Sequence, residues 1–104
     1  MEIKIKSLSV IIPCYNEEDV IESTINKIES IANRLQDNLK IISSYEIIVV
    51  NNGSTDKTAC VAKNHGARVV DETLRGYGAA CLKGISELDD PEIVVFIDGD
   101  FSDF

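Results

Sequence analysis

Short apolar runs rich in valine and isoleucine alternate with amphipathic stretches along this chain. Residues 8–13 and 45–50 are two such runs, each too short for a helix and typical of a buried strand. Shorter runs at residues 67–71 and 92–97 predict a third and a fourth strand. Because a stretch of helical period separates each run from the next, the sequence predicts the order β-α-β-α-β-α-β.

The intervening stretches carry the signals of amphipathic helices. In the first, apolar positions repeat with helical period, and Asn16 is the expected N-cap, followed by three acidic residues. The second is expected to end near Asn64, before Gly66, and the third to cover residues 78–88. The predicted apolar faces are Val20, Ile21, Thr24, Ile25, Ile28, Ile31, Ala32 and Leu35 in the first helix, and Ala79, Leu82, Ile85 and Leu88 in the third.

This alternation predicts an α/β fold, because parallel strands must be joined by crossover connections. Right-handed crossovers favour a Rossmann-like parallel sheet with strand order 3-2-1-4 and helices on both faces. At 104 residues, the chain has room for a single domain, residues 1–104. Ligands of such sheets bind beyond the carboxyl ends of the strands, where most of the unusual polar residues of this sequence fall.

Composition excludes some classes of partner. Eighteen acidic residues against ten basic ones give a formal net charge of -8, which argues against nucleic acid as the ligand. No apolar run approaches the roughly 18 residues that a membrane span requires. The three cysteines fit no CxxC or zinc spacing, which is typical of free thiols in a reducing cytoplasm. We therefore expect a cytoplasmic protein.

Two aspartates at the end of the fourth strand are the strongest candidate for a metal site. Asp98 and Asp100 flank Gly99, and if the strand continued through Gly99 both carboxylates would point to one side. Convergent carboxylates repel each other unless a cation lies between them, and Mg²⁺ or Mn²⁺ suits such ligands. Glycine between them would let a ligand approach the backbone closely. The alternative interpretation is a solvated acidic turn.

A glycine-rich segment beginning at Arg75 precedes the third helix. It fails as a dinucleotide fingerprint, because it follows the third strand and Cys81 stands where the last glycine belongs. Arg75 is either a phosphate ligand or a surface arginine, and the sequence leaves both open.

Together, four segments resemble the family-2 glycosyltransferases of the GT-A fold, and among them the polyprenyl-phosphate glycosyl synthases. The segments are residues 9–18 (SVIIPCYNEE), 48–58 (IVVNNGSTDKT), 75–80 (RGYGAA) and 96–100 (FIDGD). The resemblance implies that Pro13, Tyr15 and Glu17 line the base and ribose pocket. It also implies that Asp98 and Asp100 hold Mg²⁺ or Mn²⁺ on the diphosphate of a UDP- or GDP-linked sugar, for inverting transfer to an acceptor such as polyprenyl phosphate. Such an acceptor would place the protein at the cytoplasmic face of the membrane.

The sequence departs from the family pattern in two places. Asn51 and Asn52 stand where aspartates that contact the base are usual, so an amide would read the base edge instead. Family members also continue past the second aspartate with an acceptor-binding half. We therefore interpret residues 1–104 as the truncated N-terminal half of a GT-A domain, and expect that they do not complete the transfer alone.

Two alternatives use the same residues. An apolar strand followed by Asp-x-Asp is also found in haloacid-dehalogenase phosphatases, although there the motif opens the chain. The other alternative is a non-catalytic nucleotide-binding or assembly module, which would form homo-oligomers through an exposed sheet edge or an uncovered apolar face.

Overall fold

Four parallel strands form the sheet of this protein in a computed structural model, which describes residues 4–99. The strand order is β3-β2-β1-β4, as the sequence predicts. The elements are β1 (Ile5–Cys14), α1 (Ile21–Asn33), a π-helical turn (Arg34–Asn38), β2 (Ile42–Asn51), α2 (Thr58–Asn64), β3 (Arg68–Asp71), α3 (Tyr77–Ser86) and β4 (Ile93–Phe96). The predicted α/β class and strand order are therefore confirmed.

The two central strands are longer than their apolar runs. β1 and β2 have ten residues each and pair from Ile5 opposite Ile42 to Cys14 opposite Asn51. The added residues at their starts are mostly exposed or half-buried. Main-chain pairing between two strands does not require buried side chains. The pattern of apolar residues in the sequence therefore could not reveal these extensions.

Helices cover both faces of the sheet, as predicted. On one face α1 and α2 pack on β1 and β2, and the centre of this cluster includes Ile12, Ile25 and Val49. On the other face, Ala80 of α3 packs against Ile11 and neighbouring residues of β2. The long parallel strands are thus buried on both sides, as their continuous apolar runs require.

The predicted apolar face of α3 is wrong for Leu82 and Ile85, although Leu88 packs against the core as predicted. Leu82 and Ile85 are 68% and 47% exposed, whereas Ala80 and Gly84 face the sheet and are buried. A Cβ atom at Gly84 would lie 2.5 Å from Cγ2 of Ile11, so the helix lies too close to β1 for a larger residue. Small residues allow this close packing, and a periodicity of large apolar residues cannot detect it.

The predicted start of the first helix is also wrong. α1 begins at Ile21, and no side chain caps it. Asn16 has a φ of +53°, in the left-handed region that asparagine tolerates better than most residues, and belongs to the preceding loop. The rest of the predicted stripe is largely confirmed, since Ile21, Thr24, Ile25, Ile28 and Ala32 are buried, although Ile31 is exposed.

β4 lies at one edge of the described sheet, next to β1, and Ile93, Val95 and Phe96 of this strand are exposed. A wholly apolar groove runs between α1 and the β1–β4 pair. Within residues 4–99, no helix is long and apolar enough to cross a membrane.

Candidate functional site

A cavity of about 340 Å³ lies at the carboxyl ends of the strands, where loops after β1, β2 and β4 meet the start of α3. Its lining residues are Pro13, Cys14, Tyr15, Glu17, Asn52, Arg75, Gly76, Tyr77, Ala80, Asp98 and Gly99. Six residues predicted from the sequence line this one cavity: Pro13, Tyr15, Glu17, Asn52, Arg75 and Asp98. Asn51 is not among the lining residues, and Asp100 falls outside the described part of the chain.

The loop after β1, which carries Tyr15 and Glu17, is fastened to the loop after β2. Main-chain N–H groups of the first loop donate to side chains of the second, and one bond runs the other way. The bonds are Asn16 N to Ser54 Oγ (3.0 Å), Glu17 N to Thr58 Oγ1 (2.8 Å), Glu18 N to Asp56 Oδ2 (3.2 Å) and Thr55 N to Asn16 Oδ1 (2.9 Å). These hydrogen bonds join residues that are about 40 positions apart in the sequence. They hold the loop that carries Tyr15 and Glu17 in one position relative to the loop after β2.

Asp56 is the acceptor at the centre of these hydrogen bonds. Its other carboxylate oxygen accepts bonds from the main-chain N–H and the hydroxyl of Thr58. Desolvation raises the pKa of Asp56, but the hydrogen bonds from Thr58 and Glu18 outweigh it and leave that pKa below its usual value. The carboxylate is therefore ionised at neutral pH, and its contribution to stability is lost only as the pH falls through the lowered pKa.

Tyr15 and Arg75 are in direct contact. The guanidinium carbon of Arg75 lies 3.8 Å from the centroid of the Tyr15 ring, within the range of a cation–π interaction. The ring is 42% exposed, so its remaining surface is open to the cavity. In the described part of the chain no carboxylate forms a salt bridge with Arg75. The guanidinium of Arg75 is thus held at the cavity by the face of an aromatic ring.

The amides of Asn51 and Asn52 are engaged inside the protein. Asn51 donates to Asp71 Oδ1 (3.0 Å) and accepts from the N–H of Ser54 (3.2 Å). Asn52 is buried, and both protons of its Nδ2 are directed to main-chain carbonyls of the loop after β3. The sequence predicts that these amides read a base edge, but most of their hydrogen-bonding capacity is used within the chain.

Asp98 and Gly99 follow β4 in irregular backbone, because the strand ends at Phe96. The condition under which the sequence predicts convergent carboxylates, a strand that continues through Gly99, is therefore not met. Gly99 is buried, and a Cβ atom there would lie 2.9 Å from Cys14 Sγ and 3.0 Å from Glu17 Cγ. Close packing against the loop after β1 thus requires glycine at this position. Gly99 also lines the cavity, and the close approach of a ligand to its backbone stays a prediction.

Two residues that sequence reasoning did not assign to the site also contribute to it. Thr24 of α1 is fully buried, and its Oγ1 donates a hydrogen bond to the carbonyl of Gly99 (2.8 Å). This bond joins residues 98–99, the aspartate segment, to the helix. Tyr77 lines the cavity, and burial, Cys81 and the charge of Asp98 raise the pKa of its hydroxyl. The spacing of Tyr77 within the glycine segment could have indicated it. Thr24 was interpreted only as part of an apolar stripe.

The donor set at the cavity suits a hard divalent cation. Its carboxylate-bearing residues are Glu17 and Asp98, and oxygen ligands are those that Mg²⁺ and Mn²⁺ prefer. Within residues 4–99 no group of three or more His, Cys, Asp or Glu side chains converges to hold an ion. Such ions need only one or two carboxylates when water and substrate phosphates complete the coordination, so the residues present fit one.

Residues 9–103 match the family model described as glycosyl transferase family 2. The chain belongs to this family. An uncharacterized glycosyltransferase of Mycobacterium tuberculosis is 38% identical over 92% of the chain, which spans 38% of that relative. The family match confirms the resemblance inferred from the four segments and favours a transferase over the phosphatase alternative.

Solved structures of glycosyltransferases share the fold. Glucosyl-3-phosphoglycerate synthase from M. tuberculosis, in complex with Mn²⁺, uridine diphosphate and glucosyl-3-phosphoglycerate, is 35% identical with a TM-score of 0.72. The match covers 90% of this chain and 33% of that one. Mannosyl-3-phosphoglycerate synthase from Rubrobacter xylanophilus is 29% identical with a TM-score of 0.75, over 96% and 32% of the two chains. This family-2 chain therefore spans about a third of each solved relative.

Proposed function

We propose that this chain forms the donor-binding part of a glycosyltransferase that transfers a sugar from a nucleoside diphosphate. The observation that carries the proposal is the cavity at the strand ends, which combines an aromatic face, a guanidinium and the carboxylates of Glu17 and Asp98. These are the groups that a base, a diphosphate and a divalent ion require. Residues 1–104 are proposed to act as one donor-binding unit.

In this proposal the loop after β1 receives the nucleoside. Pro13, Tyr15 and Glu17 line the cavity on a loop that is braced to its neighbour, so the pocket is largely formed before the ligand arrives. The exposed part of the Tyr15 ring provides an apolar surface for a base or ribose. Asn51 and Asn52 contribute from the end of β2, chiefly through the loops that they hold.

Arg75 and Asp98 are proposed to receive the diphosphate. Arg75 presents a guanidinium that can bond two phosphate oxygens in parallel. Asp98, together with Asp100, would hold Mg²⁺ or Mn²⁺, which when bound offsets negative charge on the leaving diphosphate. The Mn²⁺ and uridine diphosphate in the complex of the mycobacterial synthase support this assignment.

The acceptor is proposed to carry a phosphate group. The acceptor expected from the sequence is polyprenyl phosphate, whereas the two solved relatives are synthases named for phosphoglycerate products. Both acceptors are phosphate monoesters. Inverting transfer to a hydroxyl group needs a base that takes the hydroxyl proton, whereas an attacking phosphate oxygen is already ionised near neutral pH. We assign no residue of this chain to that role.

Titration calorimetry with UDP and GDP, each with and without Mn²⁺, tests the donor site. We expect binding that depends on Mn²⁺. We also expect Asp98→Asn to weaken the Mn²⁺-dependent part of the affinity by at least about tenfold, because even substitutions of residues that only hydrogen-bond to metal ligands typically cost that much. Asp89→Asn is the matched control, because Asp89 is exposed and precedes β4 at the opposite end of the sheet. Equal binding with and without the metal, or equal effects of both substitutions, would contradict the proposal.

A further inference from the structure

The loop that carries Arg75 buries little of its own side chains. Residues 72–76 connect β3 to α3 without regular structure, and residues 73–76 are exposed. Leu74, the one large apolar residue among them, is 69% exposed. A loop with so little burial depends on hydrogen bonds for a single conformation.

Asn52 supplies three of these hydrogen bonds, at alternate positions of the loop, in addition to those that Leu74 N donates to Glu72 Oε2 and Glu72 N donates to the Asn51 carbonyl. The Nδ2 of Asn52 donates to the carbonyls of Glu72 (2.9 Å) and Leu74 (2.8 Å), and its Oδ1 accepts from the N–H of Gly76 (2.9 Å). The last two of these residues are the chain neighbours of Arg75. The main chain is therefore clamped on both sides of the arginine by one buried side chain.

The side chain of Arg75 leaves this clamp along a defined path. The aliphatic part of its side chain passes over Gly53, where a Cβ atom would lie 3.2 Å from Arg75 Cδ. The guanidinium group lies over the Tyr15 ring. Gly53 follows Asn52 directly and has a φ of +79°, so both features belong to one turn at the end of β2.

We propose that Asn52 is a positioning residue that sets Arg75 over the cavity for the diphosphate of the donor. The proposal rests on the function proposed above. The clamp needs two donors and one acceptor from one short side chain, and asparagine provides this combination whereas aspartate does not. A carboxylate at this position would place an oxygen against two carbonyl oxygens. The amide at position 52 thus acts on the ligand through Arg75.

A measurement without any ligand tests the clamp itself. Because the guanidinium lies over the Tyr15 ring, the ring current should shift the side-chain proton signals of Arg75 upfield in an NMR spectrum. We expect Asn52→Leu, a neutral change of similar size, to return those signals to ordinary values. Asn52→Ala is the second variant if the leucine form fails to fold. Gln36→Met is the matched control, since Gln36 also donates an amide N–H to a main-chain carbonyl, that of Ser43, at the far end of β2.

A double-mutant cycle tests the link to the donor. With UDP and Mn²⁺ as the probe, we expect Arg75→Ala and Asn52→Leu each to weaken binding by about tenfold, and the double variant to be no weaker than Arg75→Ala alone. Additive losses would mean that Asn52 acts on the ligand independently, and an unchanged Arg75 signal in Asn52→Leu would show that it does not position the arginine. Either result overturns the inference. A wild-type protein with the upfield signals but no affinity for UDP or GDP would instead overturn the proposed function, and with it the role of the clamp in binding.

Discussion

The hydrogen bond between Thr24 and Gly99 offers a test of how the aspartate segment is held. Thr24 is 2% exposed, and its hydroxyl donates to the Gly99 carbonyl at 2.8 Å. This bond joins α1 to the residue that directly follows Asp98. Thr24→Val keeps the shape of the side chain and removes the donor, whereas Thr24→Ser keeps the donor and removes a methyl group.

The expected magnitudes follow from burial. Leaving a buried acceptor without its donor costs about 1–3 kcal/mol, so we expect Thr24→Val to lower the free energy of unfolding by that amount. Thr24→Ser loses a buried methyl group, which costs about 1 kcal/mol. The valine variant can regain part of its loss by letting the aspartate segment relax. Binding of UDP and Mn²⁺ must then return the relaxed segment to its original conformation. We expect the free-energy cost of this step, about 1–2 kcal/mol, to weaken Mn²⁺-dependent affinity for UDP by about five- to thirtyfold.

Urea unfolding measures the two stabilities, and titration calorimetry with UDP measures affinity with and without Mn²⁺. We expect both variants to lose stability but only Thr24→Val to lose metal-dependent affinity. The serine variant is thus the control for lost stability as such. If both variants bind UDP and Mn²⁺ like the wild type, or if both lose affinity in proportion to stability, the hydroxyl does not position the segment that carries Asp98.

Two further predictions concern the cavity and the sheet. Tyr15→Ala should reduce affinity for UDP while leaving the far-UV circular dichroism spectrum nearly unchanged, because the ring is 42% exposed; loss of the folded spectrum would make Tyr15 a structural residue. Gly84→Ala should lower the free energy of unfolding by about 1–3 kcal/mol, since its Cβ atom would lie 2.5 Å from Ile11 Cγ2. The added change Ile11→Ala, which removes that atom, should cost less in this variant than in the wild type, and equal costs in both would contradict a clash between these residues.

Much of the fold and of the candidate site could be predicted from the sequence, because both follow from local patterns and a topological rule. Continuous apolar runs mark strands that are buried on both faces, and alternation with helices requires parallel pairing. Parallel pairing in turn brings the carboxyl ends of the strands to one edge. Residues as distant as Tyr15 and Asp98 could therefore be assigned to one site before any coordinates were considered, and the structure places both at the same cavity.

Other features depended on distances between elements that a linear pattern does not contain. The inward face of α3 was decided by how closely the helix approaches Ile11, which favours Gly84 over Leu82. The packing of Gly99 against the loop after β1, which leaves no room for a side chain, likewise could not be seen in the sequence.

The role of Asn52 shows the same division between sequence and structure. The sequence by itself places Asn52 at the carboxyl end of a strand, the edge at which parallel sheets bind ligands. This placement follows from the local pattern of residues and from the topology. Which partners its amide finds depends on the path of a loop more than 20 residues away, and only the tertiary structure brings those carbonyls within hydrogen-bonding distance. The physical reason is that a hydrogen bond depends on the positions of two groups in space, whereas a sequence pattern specifies the position of each group along the chain.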